Sequence, residues 1–129
     1  MGQVMNKTLL ITDDAAIIRE MIKDAVERRG WQVVAEAANG QEAIDRYVAT
    51  RPAAVTLDLV MPDFDGLHAL RGIIAHDPEA RVLVVSALDQ QSILKQAFKI
   101  GAADFIVKPF DRDTLVETLE QICAPVGVA

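Results

Sequence analysis

Five short apolar runs punctuate the chain: LLI at 9–11, VVAEA at 33–37, AAVTL at 53–57, VLVVS at 82–86 and DFIV at 104–107. Most are rich in Leu and β-branched residues and are too short for helices, so they read as strands. Between them the spacing changes to that of helices. Ile18, Met21, Ile22 and Ala25 share one helical face, with Gly30 where a C-terminal cap belongs. Ala43, Ile44, Tyr47 and Val48 share the next, which Pro52 stops. Leu67, Leu70, Ile73 and Ile74 mark a third helix, Ile93, Ala97 and Ile100 a fourth closed by Gly101, and Leu115, Leu119 and Ile122 a fifth. Strand–helix units in series predict an α/β fold: a parallel sheet with helices on both faces, joined by right-handed crossovers. The near-continuous apolar character of the strands agrees, because a strand buried on both faces does not alternate.

Length and composition narrow the function. The 129 residues correspond to about one domain, long enough to bury a core without metal or disulfide staples. A hydrophobic content of 51% excludes a disordered tail. The net charge of −6 and pI near 4.8 argue against nucleic acid or an anionic membrane as partner, since both demand clustered Lys and Arg. A lone Cys123 forms no internal disulfide, which fits a reducing compartment. No run approaches the ~20 apolar residues of a membrane span. The opening MGQVMNKT has neither a signal-peptide core nor the Ser or Thr of an N-myristoylation signal. A cytoplasmic protein is expected. No linker, low-complexity tract or second domain is visible.

In sheets of this kind, ligands bind beyond the carboxyl ends of the strands. Asp13 and Asp14 follow the first run, Asp58 the third, Ser86 and Ala87 close the fourth, and Lys108-Pro109 follow the fifth. The fold alone would gather these distant residues. In TLDLVMPDFDG the three aspartates separate by context: Asp63 follows Pro62 in a turn pair, Asp65 precedes Gly66 as a helix cap, and Asp58 is the first polar residue past its strand. Two carboxylates ~4 Å apart repel by roughly 4 kcal/mol at an effective dielectric of ~20. Three in one pocket call for a counter-charge, and carboxylate oxygens suit Mg²⁺. With Lys108 nearby, this is the make-up of a phosphoryl-transfer site, and Asp58 is the expected nucleophile, able to form an acyl phosphate. A cis bond at Lys108-Pro109 would aim the lysine inward; the plainer reading is a strand ending at a proline. Ser86 is either a satisfied strand-end hydroxyl or a partner for the transferred group, and VVSAL lacks the elbow of a hydrolase nucleophile. His68 and His76 fall in the third helical segment and read as solvated. No Cys/His metal spacing or glycine-rich phosphate loop occurs.

Taken together, Asp13-Asp14, Asp58 in DLVMPDFDG, Ser86-Ala87 and GAADFIVKPF at 101–110 resemble the receiver domain of two-component response regulators, from Lys7 to about Ile122. The resemblance implies a flavodoxin-like, doubly wound five-stranded sheet in order 2-1-3-4-5 with five helices. It implies residues 1–6 as an N-terminal extension, 7–123 as the receiver and 124–129 as a tail. Asp58 would be the phosphoacceptor. Asp14 and Asp58 would bind Mg²⁺ directly, Asp13 mostly through water, with the Val60 backbone carbonyl completing the protein ligands. Lys108 would pair with the phosphoryl oxygens and Ser86 would move toward them. Phe105, the switch aromatic, would turn into the space Ser86 vacates, and the Lys108-Pro109 bond would be cis. A phosphorylation switch rather than an enzyme is implied.

Two departures matter. Phe105 stands where many single-domain receivers have Tyr, so only ring burial can report the state. Val60 and Leu88 are apolar where some relatives carry polar groups flanking the hydrolytic water, so a different phosphate lifetime is expected. SALDQQSILKQAFKIGAADFIVKPF resembles chemotaxis receivers that work with dedicated phosphatases, and the chain stops soon after the fifth helix as in a stand-alone receiver. The implied partners are a sensor histidine kinase, the flagellar motor switch protein and such a phosphatase, with the receiver monomeric. Leu94 and Phe98 are either part of a broad buried stripe or a partner surface. The alternatives are a receiver cut from a larger or non-chemotaxis regulator, and an aspartate phosphatase or flavin domain. The last two lack their D-x-D and hydroxyl-rich loops here.

Overall fold

Among the described residues ten elements alternate: β1 (Thr8–Thr12), α1 (Ala16–Glu27), β2 (Gln32–Ala37), α2 (Gly40–Thr50), β3 (Ala54–Leu57), α3 (Gly66–His76), β4 (Val82–Ala87), α4 (Gln91–Ile100), β5 (Asp104–Lys108) and α5 (Arg112–Cys123). The structure, a computed structural model, describes residues 6–63, 65–87 and 91–124. All strand pairs are parallel, in the order β2-β1-β3-β4-β5, as expected.

Successive strand residues point to opposite faces, and both faces here are apolar. Leu10, Val55, Leu57, Val82 and Val84 pack against Ala43 and Tyr47 of α2, Ala69, Leu70 and Ile73 of α3, and Ala97 of α4. Leu9, Ile11, Ala54, Leu83, Val85 and Ile106 face α1 and α5, where they meet Ile22, Val26, Leu115 and Leu119. Leu9, Leu10, Ile11, Leu57 and Leu83 are wholly buried, and each such side chain is worth ~1.5–3 kcal/mol against full exposure. This two-sided burial is what the continuous apolar runs encode. No helix among the described residues is long and apolar enough to cross a membrane.

Helix ends follow local chemistry, with one departure from expectation. Asn39, Asp65 and Asp111 each accept a backbone N–H of the first turn of α2, α3 and α5. Gly101 closes α4 with a φ of 142°. The regular turns of α1 end at Glu27, and Gly30 closes the helix as expected, its N–H donating to Glu27 O at 3.2 Å. Gly30 takes the positive φ of 85° that such a cap needs and that turns the chain toward β2, and Trp31 N–H donates to Val26 O at 3.1 Å. α2 does stop before Pro52, yet the left-handed residue there is Arg51, φ 46°, whose N–H donates to Tyr47 O.

Candidate functional site

β1 and β3 are neighbours, but the chain leaves them toward opposite ends of the sheet, so a crevice opens beyond their carboxyl ends. The backbone ladder runs one residue past both strands. Asp58 N–H donates to Thr12 O at 3.0 Å, and Asp13 N–H donates to Ala37 O at 3.1 Å. The two acids are therefore held by the sheet itself. Asp13 is 1% exposed and Asp58 7%, whereas Asp14 is exposed at the rim. One carboxylate oxygen from each of the three lies within 4.8 Å of the others.

Lys108, the last residue of β5, reaches across β4 to this group. Its Nζ donates to Asp13 Oδ2 at 2.7 Å and to Asp58 Oδ2 at 3.3 Å. The remaining oxygens accept backbone amides: Asp13 Oδ1 from Ala15 N–H at 2.9 Å, Asp58 Oδ1 from Val60 N–H at 3.2 Å. Burial pushes the Asp58 carboxyl above the usual carboxylate range, against the pull of the Val60 amide and of the Lys108 charge. Burial alone would lower Lys108, but its hydrogen bond to Asp13 and the two carboxylate charges outweigh it and hold the ammonium above its ordinary value. The Lys108-Pro109 bond is cis.

Ser86 is 2% exposed, and strand register places it opposite Val107, one residue from Lys108. Phe105 projects outward, 39% exposed, its ring edge-to-face with Phe98 at 5.9 Å. Between α4 and β5 lies a groove of about 440 Å³ lined by Ser86, Leu94, Lys95, Phe98, Phe105 and Val107.

Asp63 and Asp65 serve the chain's shape. Asp63 adopts a φ of 64°, and Asp65 caps α3 by accepting His68 N–H at 3.0 Å. The turn returns α3 so closely that Gly66 N–H bonds Leu59 O at 3.1 Å, and a Cβ at Gly66 would collide with the Asp58 carbonyl oxygen. His76 is exposed. His68 departs from a fully solvated position: it is half-buried, with Nε2 at 3.2 Å from Gln41 Oε1 on α2. Val60 is 48% exposed beside the acids, and Leu88 lies outside the described residues. Two participants were not foreseen. In the sequence Gly66 reads only as the residue after the cap. Arg19, whose Nη1 donates to Asp13 O at 2.7 Å, carries no local signal, because its contact depends on how α1 docks.

Three carboxylates with a lysine between two of them form a donor set that fits a hard divalent cation, and the crevice around them is that of a phosphoryl-accepting signalling domain. The chain belongs to the response regulator receiver family: residues 9–120 match the response regulator receiver domain. Within that family it is closely related to the chemotaxis protein CheY. It is 44% identical to CheY of Thermotoga maritima over 92% of this chain and 98% of that protein. It is 51% identical to CheY of Listeria monocytogenes over 88% and 95% of the respective chains. Its fold matches the CheX–CheY–BeF3–Mg²⁺ complex of Borrelia burgdorferi with a TM-score of 0.86 at 32% identity, covering 92% of this chain and 90% of that one.

Proposed function

We propose that Asp58 accepts a phosphoryl group from a sensor histidine kinase and that residues 7–123 form the switching unit, flanked by segments 1–6 and 124–129. The observation that carries this reading is the placement of a buried Asp58 carboxylate 3.3 Å from Lys108 and grouped with Asp13 and Asp14. Asp14 and Asp58 would hold Mg²⁺, with Asp13 acting through water and the Val60 carbonyl as a further ligand. The cation supplies charge neutralisation for the carboxylates and for the phosphoryl group in flight.

The chain's own residues do the rest. An Asp58 oxygen attacks phosphorus in line, the O–P bond forming as the P–N bond of the donor histidine breaks and its imidazole leaves. Lys108 transfers its hydrogen bonds from the carboxylates to phosphoryl oxygens. Ser86 donates its hydroxyl to another, which draws the end of β4 inward, and Phe105 turns from the open groove into the space this leaves. Because these bonds exist only with the phosphoryl group in place, they bias the population. Shifting 1:99 to 99:1 takes about 5.5 kcal/mol, and two charge-assisted hydrogen bonds at roughly 1.5–3 kcal/mol each approach it.

The output is chemotaxis control. The α4–β5 groove, apolar and bordered by Phe98 and Phe105, suits a segment of the flagellar motor switch protein, and its shape would follow Phe105. A phosphatase of the CheX type, seen bound to CheY in the Borrelia complex, would end the signal. The protein acts in the cytoplasm as a monomer.

The test is acetyl phosphate with Mg²⁺, read by intact mass. Wild type gains the mass of one phosphoryl group, and Asp58→Ala and metal-free wild type gain none. Equal labelling of Asp58→Ala would overturn the assignment.

A further inference from the structure

The β1–α1 turn, residues 13–15, carries two of the three acids, and its fastening is unusual. Ala15, the cap residue of α1, supplies no side-chain cap, unlike Asn39, Asp65 and Asp111 on α2, α3 and α5. Besides the ladder bond of Asp13 N–H to Ala37 O, the turn has one side-chain tie of its own among the described residues, Asp13 Oδ1 accepting Ala15 N–H. That tie uses the same carboxylate on which a cation or its water shell draws, so it weakens as the pocket fills. A further side-chain tie comes from outside the pocket. Arg19, one turn into α1, folds its side chain back so that Nη1 donates to Asp13 O at 2.7 Å while Nε donates to Glu36 Oε1 at 3.1 Å on β2. The guanidinium plane thus spans the turn and the neighbouring strand at fixed geometry, which a lysine cannot do. No phosphoryl or metal contact is required of it.

The geometry points to Arg19 as a positioning residue for the cation site: it holds the Asp13 carbonyl so that the Asp13 and Asp14 carboxylates converge with Asp58. This rests on the magnesium reading above. Two simpler roles predict different results. If Arg19 acted only as a nearby positive charge, removing it would make an acidic pocket bind magnesium more tightly. If it acted only as a strut of the fold, removing it would lower stability and leave affinity alone. As the half-exposed Arg19–Glu36 pair is 20% and 35% accessible, its own share of stability is small.

The experiment is a calorimetric Mg²⁺ titration of wild type, Arg19→Met and Arg19→Lys, each paired with urea unfolding in chelator. Supporting partners of metal ligands typically alter affinity by 10–100-fold, and Arg19, acting through the backbone, is expected at about tenfold weaker binding in Arg19→Met. Arg19→Lys keeps the charge and lacks the fork, so it falls between, although charge alone would leave it at the wild-type value. The magnesium concentration for half-maximal labelling by acetyl phosphate rises in step, and the labelling rate at saturating magnesium falls less. Tighter binding in Arg19→Met, or unchanged binding with lost stability, overturns the proposal. Wild type binding no magnesium would sink the metal reading itself. Wild type binding it beside equally competent variants would sink only the role of Arg19.

Discussion

Tyr47 is 3% exposed on α2, and its hydroxyl donates to Asp77 Oδ2 at 2.7 Å just past α3. Arg51 lies 5.9 Å from the ring centroid and 3.9 Å from the same carboxylate. Burial, with the Asp77 hydrogen bond and charge behind it, raises the phenol well above its ordinary value, and the Tyr47 hydrogen bond holds Asp77 below the carboxylate range. The signs follow. Asp77 contributes stability above its unfolded pKa of ~3.9, lost as pH falls through the depressed folded value. Tyr47 contributes stability below its unfolded pKa of ~10, lost as pH rises through the raised one. Tyr47→Phe should cost about 1 kcal/mol on the plateau between, a charged hydrogen bond discounted for a carboxylate that is 31% accessible. It should also flatten both arms; urea unfolding across pH checks this. Gly66 offers a second residue-scale prediction. A methyl group there must displace the Asp58 backbone, so Gly66→Ala should destabilise by about 1–3 kcal/mol and slow labelling of Asp58, despite alanine's better helix propensity. The spacing of Tyr47 revealed its buried face and nothing of its hydroxyl, because Asp77 lies on an element that only the packing of α2 against α3 brings near.

At the scale of elements, α4 stands apart: only Ala97 on it is fully buried, while Leu94 is half-buried against the core and Phe98 is 42% exposed. The pair thus divides the two readings of its sequence, Leu94 serving the core and Phe98 the surface. Leu94→Ala should cost about 1–2 kcal/mol, below the 2–5 of a fully buried leucine, and Phe98→Ala less than about 1. If the groove receives a motor-switch segment, Phe98→Ala should weaken that binding about tenfold, as anisotropy with a labelled peptide would show. Strands were legible because two-sided burial writes itself as unbroken apolar runs. β3 begins at Ala54 rather than at residue 53, and β5 extends to include Lys108, since end residues answer to ladder bonds rather than to hydrophobicity. The cap of α1 was legible at Gly30, because the left-handed φ of 85° that closes the helix suits glycine, and the regular turns end three residues before it.

For the molecule as a whole, order and topology followed from strand–helix alternation together with the resemblance, and the acids followed from the rule that strand ends meet at one edge. The distances, the outward Phe105 and the Arg19 brace depended on docking of whole elements, which no window of sequence contains. Whole-molecule linkage gives a further expectation. Magnesium at 100 times its dissociation constant should stabilise the fold by about 2.7 kcal/mol, and Asp14→Asn should remove most of that gain. Urea unfolding with and without chelator measures both.

The ammonium group of Lys108 touches both buried acids at once. Every arrival at the crevice is therefore an exchange with a tenant already bonded there. A side chain that neutralises the resting pocket also competes with whatever comes to neutralise it, so Lys108→Met should take up divalent ions more avidly and yet keep its phosphoryl group less securely. Evolution has no free choice of sign at position 108: resisting entry and rewarding occupancy are two duties of one nitrogen.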